Sequence, residues 1–270
     1  MDLLERVLRS PTALDDKYSR GVVGFVTGSA EYPGAAILGV TAAMRAGVGM
    51  VRYIGPETVG NLLLEVRPEV VLQDGRAQCW VLGSGVLGAD SGGQAERILE
   101  VLSKPGYAVI DAGALEIARY DLVAAQCILT PHAGELSTLL RGFGQVLSRI
   151  EVEADPVHAA VAAAKATGQV VLLKGSVSTV SDPHGESWQT PAGNPALATA
   201  GTGDVLAGLI GALVAANESY LKFGDLSLAD IALAAAILHS QAADRAALEG
   251  PVVALDVAEA IRSVVGERLA

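Results

Sequence analysis

Short β-forming runs alternate with Ala- and Leu-rich amphipathic stretches along most of this chain, and that rhythm limits its possible folds more than any other feature. Runs at 22–27, 50–54 and 79–82 are each followed by a helical pattern, at 35–46, 58–66 and 92–102. Strands at 108–111, 127–130 and 170–174 and helices at 134–140 and 157–167 continue the series. Apolar spacing switches between the strand and helix periods at each boundary, which marks repeated strand–helix units. Strands joined through helices run parallel, because a parallel pair needs a crossover long enough to return the chain to the same edge. The expected fold is therefore α/β, with a central, mostly parallel β-sheet covered by helices.

Past Lys174 the pattern changes. Two short strands, 177–180 and 186–190, flank the turn Asp182-Pro183-His184-Gly185 and read as a hairpin. Helices are expected at 204–217, 226–249 and 256–268, with Gly250-Pro251 as a helix stop. No linker, repeat or low-complexity segment interrupts the chain, so residues 1–270 are expected to form one domain. Apolar residues are 51% of the chain and aromatics only 4%, so the core must be built from Ala, Val, Leu and Ile.

Charge narrows the partners. A net charge of −11 disfavours a nucleic-acid or anionic-membrane footprint, which needs clustered Lys and Arg. A small phosphorylated ligand stays open, since backbone amides and a helix dipole can hold phosphate in an acidic protein. No stretch approaches about 18 unbroken apolar residues, and Met1-Asp2-Leu3-Leu4-Glu5-Arg6 lacks a signal-peptide core. Cys79 and Cys127 sit in apolar strand runs and read as buried free thiols. A soluble cytoplasmic protein is expected.

Candidate chemistry gathers at strand ends and one helix start. In Asn194-Pro195-Ala196-Leu197-Ala198-Thr199-Ala200-Gly201-Thr202-Gly203-Asp204, small residues lead into an apolar helix. Consecutive amides at Gly201, Thr202 and Gly203 would form an anion hole, with Asp204 in the first turn beside it. Lys174, Gly175, Ser176, Val177 and Ser178 end a buried strand with a cation and two hydroxyls, where open α/β sheets bind ligands. Thr130-Pro131-His132-Ala133-Gly134-Glu135 ends another strand with a histidine and a first-turn glutamate. Two glycine-rich strand ends complete a cleft: Thr27-Gly28-Ser29-Ala30-Glu31-Tyr32-Pro33-Gly34-Ala35, and Gly83-Ser84-Gly85-Val86-Leu87-Gly88. Neither a P-loop nor a full dinucleotide GxGxxG appears. His158, His184 and His239 are dispersed without metal-ligand spacing and read as structural or surface residues.

Taken in order, these clusters resemble the ADP-dependent NAD(P)H-hydrate dehydratases, a repair-enzyme family of the ribokinase-like superfamily. The likeness spans nearly the whole chain, from Lys17-Tyr18-Ser19-Arg20-Gly21 and Ala43-Met44-Arg45-Ala46-Gly47-Val48-Gly49 to Gly201–Asp204. Ser178 stands where the family more often has Thr, and Ala200 where it often has Gly; both stay small.

The resemblance implies a ribokinase-like sheet flanked by helices on both faces. It implies ADP-dependent dehydration of the S epimer of NADHX or NADPHX to NADH or NADPH, with release of AMP and phosphate. Ala35, Gly85, His132 and Asp204 would contact the hydrated nicotinamide nucleotide. Lys174, Gly175, Ser176, Val177, Ser178 and Gly203 would hold ADP (or ATP), with Gly201 and Thr202 completing the anion hole. Asp204 would be the catalytic base and Mg2+ would accompany the nucleotide; no protein residue is singled out as a metal ligand. A homotetramer and a functional link to a separate NAD(P)H-hydrate epimerase are further implications, since the chain leaves no room for a fused epimerase domain. The alternatives are an ATP-dependent sugar or vitamin-precursor kinase of the same superfamily and a nucleotide-sensing module without turnover.

Overall fold

The computed structural model describes residues 2–88 and 93–270. Among them, β1 (Val22–Val26), β2 (Met50–Tyr53), β3 (Cys79–Leu82), β4 (Tyr107–Ile110), β5 (Gln126–Leu129) and β6 (Val170–Leu173) pair in parallel. β7 (Thr179–Ser181) joins β6 antiparallel, and β8 (Ser187–Gln189) pairs with β7 as a hairpin. The sheet order is β2-β1-β3-β4-β5-β6-β7-β8.

Period-two alternation divides the strand side chains between two cores. Val23, Phe25, Val81, Val109, Ile128 and Leu172 enter one, and Val26, Leu82, Ile110, Leu129 and Leu173 the other. The first core is covered by α1 (Leu3–Val7), α2 (Pro33–Arg45) and α3 (Glu57–Val66). The second lies beneath α4 (Gln94–Leu102), α5 (Gly113–Ile117), α6 (Ala133–Gly142), α7 (Arg149–Ala154) and α8 (Pro156–Thr167). The chain then returns to the first face with α9 (Thr202–Ala216), α10 (Glu218–Phe223), α11 (Leu228–Ala246) and α12 (Ala254–Leu269). Both faces are thus buried, as expected of a parallel sheet. Among the described residues no helix is long and apolar enough to cross a membrane.

Several boundaries differ from the sequence reading. The strand expected at 177–180 starts at Thr179, because Ser178 donates its amide to Thr190 Oγ1 and Ser176 accepts from the Gly193 amide. Lys174 to Ser178 is consequently a loop. The helix expected to run to Glu249 ends at Ala246, where Leu248 and Glu249 bond three residues back and tighten the last turn. The expected start at Gly92 lies outside the described residues. α1, α5, α7 and α10 have five or six residues each and too few turns to show helical spacing in the sequence. The buried thiols of Cys79 and Cys127 match expectation.

One close approach positions everything that follows. A Cβ on Gly208 of α9 would lie 2.0 Å from the Gly39 carbonyl oxygen of α2, so the two helices meet backbone to backbone. That contact holds the start of α9 against α2, at the edge where β1 to β6 present their carboxyl ends.

Candidate active site

The first turn of α9 lacks a capping side chain. Its N-cap, Gly201, has φ +93°, a left-handed conformation open to glycine at little cost, and no side chain bonds the exposed amides. By contrast α6, α7, α8 and α11 are capped by His132, Ser148, Asp155 and Ser227. The first intrahelical pair is Val205 N–H to Gly201 oxygen, at 3.2 Å, so the amides of Gly203 and Asp204 precede it. Uncapped amides at the positive end of a helix dipole form an anion site. The Thr202 hydroxyl takes no part, since it donates to the carbonyls of Leu197 and Thr199 at 2.8 and 3.0 Å and clamps the preceding loop.

Asp204 sits beside this site, half-buried. Burial, reinforced by the negative charge of Asp111, pushes its carboxyl up from the usual 3.8 to about 7, against the pull of the Lys174 ammonium. A proton acceptor that titrates near neutrality is suited to general-base work.

Lys174 closes the group from the other side. A Cβ on Gly203 would lie 3.4 Å from Lys174 Nζ, so the cation faces the anion site. Nζ donates to Asp111 Oδ1 at 2.9 Å and lies 3.9 Å from Glu135 Oε2. Burial opposes the ammonium charge, but Asp111, Glu135 and Asp204 outweigh it and hold the proton above the usual lysine range. Asp111 is 2% exposed and also accepts from the Ser84 and Thr130 hydroxyls, each at 2.8 Å. These partners compensate a buried carboxylate that would otherwise be costly. Ala112 follows with φ +45°, strain of order 1–3 kcal/mol for a residue with a side chain.

The remaining candidates surround this centre. A Cβ on Gly85 would lie 2.7 Å from the Ala35 Cβ, so the 83–88 loop and the first turn of α2 are in contact. Ala35 is one turn before Gly39, where a Cβ would lie 3.3 Å from the Asp204 carbonyl oxygen. His132 caps α6: Nδ1 accepts from the Gly134 and Glu135 amides at 3.1 and 3.2 Å, and Glu135 Oε2 accepts from the His132 amide. Nε2 lies 3.6 Å from Glu135 Oε1, on a side chain 60% exposed. His132 thus caps a helix and lines a cavity with Lys174, Gly175 and Arg149.

A cavity of about 510 Å³ opens on the α11 side of Asp204. Lys174, Gly175, Ser176, Ser178, Thr202 and Gly203 line it. Val177 does not; it turns to a neighbouring cavity with Arg149 and Glu153. Two residues of this region have no candidate role in the sequence reading. Asp111 was visible as a lone carboxylate closing an apolar strand, a signal that gains meaning only opposite Lys174. His239, read as structural or surface, is 6% exposed in the cavity wall, and burial lowers its pKa to about 4, so its ring is neutral.

Comparisons with known proteins identify the family. The family model for NAD(P)H-hydrate dehydratase matches residues 23–264. The bifunctional NAD(P)H-hydrate repair enzyme Nnr of Corynebacterium glutamicum is 39% identical over 258 residues, covering 86% of this chain and 44% of the relative. The chain therefore spans less than half of that relative's length. The ADP-dependent (S)-NAD(P)H-hydrate dehydratase of Xanthomonas campestris pv. campestris is 33% identical over 233 residues, 76% of each protein. The crystal structure of the ADP/ATP-dependent NAD(P)H-hydrate dehydratase of Bacillus subtilis, co-crystallized with ATP/Mg2+, superposes with a TM-score of 0.85 at 26% identity over 98% of this chain and 96% of that one. The fold is ribokinase-like. With the model covering nearly the whole chain, this protein belongs to the NAD(P)H-hydrate dehydratase family.

Proposed function

We propose that this chain is an ADP-dependent (S)-NAD(P)H-hydrate dehydratase, a hydro-lyase of nicotinamide nucleotide repair, acting as a single domain over residues 1–270. The observation that carries the reading is Asp204, a carboxyl raised to about 7 at the uncapped start of α9. A module that only binds nucleotide gains nothing from a carboxylate beside its phosphates. A phosphoryl-transfer enzyme needs a base there.

In the proposed reaction Asp204 accepts the proton of the ring hydroxyl of NADHX or NADPHX as that oxygen attacks the terminal phosphoryl of ADP. AMP leaves. The phosphorylated ring then expels phosphate and loses a ring proton, which restores the dihydropyridine as NADH or NADPH. Amides at the start of α9, foremost those of Gly203 and Asp204, stabilise charge on the transferred group, and Lys174, oriented by Asp111, adds a cation beside it. Lys174, Gly175, Ser176, Val177 and Ser178 embrace the adenine nucleotide, while Ala35, Gly85 and His132 hold the hydrated ring. Among the described residues no three-ligand cluster of His, Cys, Asp or Glu forms a metal cage. Mg2+ would be held chiefly through the ADP phosphates and its own waters. The ion would neutralise phosphate charge during transfer.

The same reading places the protein in the cytoplasm as a homo-oligomer, a tetramer by likeness to the family, with an epimerase that supplies the S epimer. Bifunctional relatives support that link. An ATP-dependent small-molecule kinase would share the anion site, but family membership favours the dehydratase.

Incubation with NADHX, Mg2+ and either ADP or ATP, followed by absorbance of the reduced nicotinamide, tests the proposal. NADH is expected with ADP, and its absence with both nucleotides would sink it. Asp204→Asn is expected to lower turnover at least about 100-fold while calorimetry still detects ADP binding.

A further inference from the structure

A dinucleotide hydrate that presents its ring to Asp204 must lay its other half outside the ADP cavity. We propose that the cavity between α5 and α6 receives the adenosine half of the hydrate and selects a ribose with free hydroxyls. This rests on the dehydratase reading above.

The cavity measures about 780 Å³, against about 510 Å³ for the nucleotide cavity lined by Lys174. Its mouth is built from the strand ends that hold the ring. Val86 directly follows Gly85, Ala112 and Gly113 directly follow Asp111, and Glu135 belongs to the cap formed by His132. Glu135 joins the two spaces, with Oε1 3.6 Å from His132 Nε2 and Oε2 3.9 Å from Lys174 Nζ. The cavity therefore begins where the proposed ring contacts end.

Its inner wall suits a purine. Leu115, Leu139 and Phe143 supply apolar surface, and the Tyr120 and Phe143 rings lie 5.8 Å apart, tilted by 54°. The Tyr120 hydroxyl donates to the Leu115 carbonyl at 3.2 Å, which fixes that ring. Phe143 is 38% exposed, so one part of its ring is open for stacking. Glu116 and Asp121 also line the cavity, and Arg119, the cation among its described lining residues, lies 3.5 Å from Asp121. Carboxylates accept hydrogen bonds from ribose hydroxyls and repel a 2′-phosphate. The cavity is matched to NADHX more than to NADPHX.

The test measures binding of NADH, NADPH and reduced nicotinamide mononucleotide to wild type and to Phe143→Ala, with saturating AMP filling the nucleotide cavity. Wild type is expected to prefer NADH over the mononucleotide by about tenfold, the scale of one stacked base, and Phe143→Ala to bring that ratio near one. Glu116→Lys, on the rim, is expected to move the NADH-to-NADPH ratio toward NADPH. A wild-type ratio near one, or an undiminished ratio in Phe143→Ala, overturns the subsite. So does an altered oligomeric state in Phe143→Ala with nucleotide discrimination intact, which would make the cavity a contact between copies. Turnover of NADHX, assayed alongside, separates the two readings: an inert wild type that keeps its tenfold preference fails the reaction and retains the subsite.

Discussion

Asp204 and Lys174 control each other's charge, and two consequences can be read by titration. Because burial lifts the Asp204 carboxyl to about 7, kcat/KM is expected to rise with pH through an acidic limb centred near that value. The Lys174 ammonium pulls the same group down, so Lys174→Met should move the limb to higher pH; an unmoved limb would separate the two residues. Stability responds in the opposite sense. Between 3.8 and about 7 the folded protein holds a proton that the unfolded chain releases, so stability falls as pH rises through that window. The cost is complete above pH 7 and at most about 4 kcal/mol at 1.36 kcal/mol per unit. Asp204→Asn is therefore expected to raise Tm above the parent at pH 8 and nearly match it at pH 4, as calorimetry can show.

At the scale of elements, the pairing of α2 with α9 positions Asp204, the proposed base. Gly208 allows that pairing because its missing Cβ would otherwise lie 2.0 Å from the Gly39 carbonyl oxygen. In Gly208→Ala the helices must separate, with an expected loss of about 1–3 kcal/mol typical of overpacking, read by chemical denaturation. Asp204 lies one helical turn away on α9. If Asp204 is the base proposed above, turnover at a temperature where the variant is folded is expected to fall as well, because small displacements of a catalytic group are costly. The uncapped start of α9 belongs to the same design: a capping side chain there would satisfy the amides that an anion needs.

For the molecule as a whole, two cores on either face of one sheet carry the cleft between them, and ligands that bind the folded state should stabilise it globally. ADP with Mg2+ at about 100 times its Kd adds about 2.7 kcal/mol, which for a chain of this size corresponds to a Tm increase of about 5–10 °C. Thermal shift measurements with ADP, and with adenosine as a control lacking phosphate, check this. An equal shift from adenosine would show that the start of α9 contributes little phosphate affinity.

The longer strands and helices, and the sheet edge at which the candidate residues gather, are legible in the sequence. Spacing of apolar residues within about ten positions specifies strand or helix, and Gly201 to Asp204 are legible as a candidate anion site with a carboxylate. The loop nature of Lys174 to Ser178 was not legible, because amide partners from Thr190 and Gly193 decide it. Nor was Asp111, whose meaning comes from a lysine 63 residues away, or His239, whose helix spacing cannot show which cavity it enters. The tertiary structure alone decided these pairings. Long-range contacts follow from how two cores close around the sheet, and burial then raises the Asp204 carboxyl and lowers the His239 imidazole.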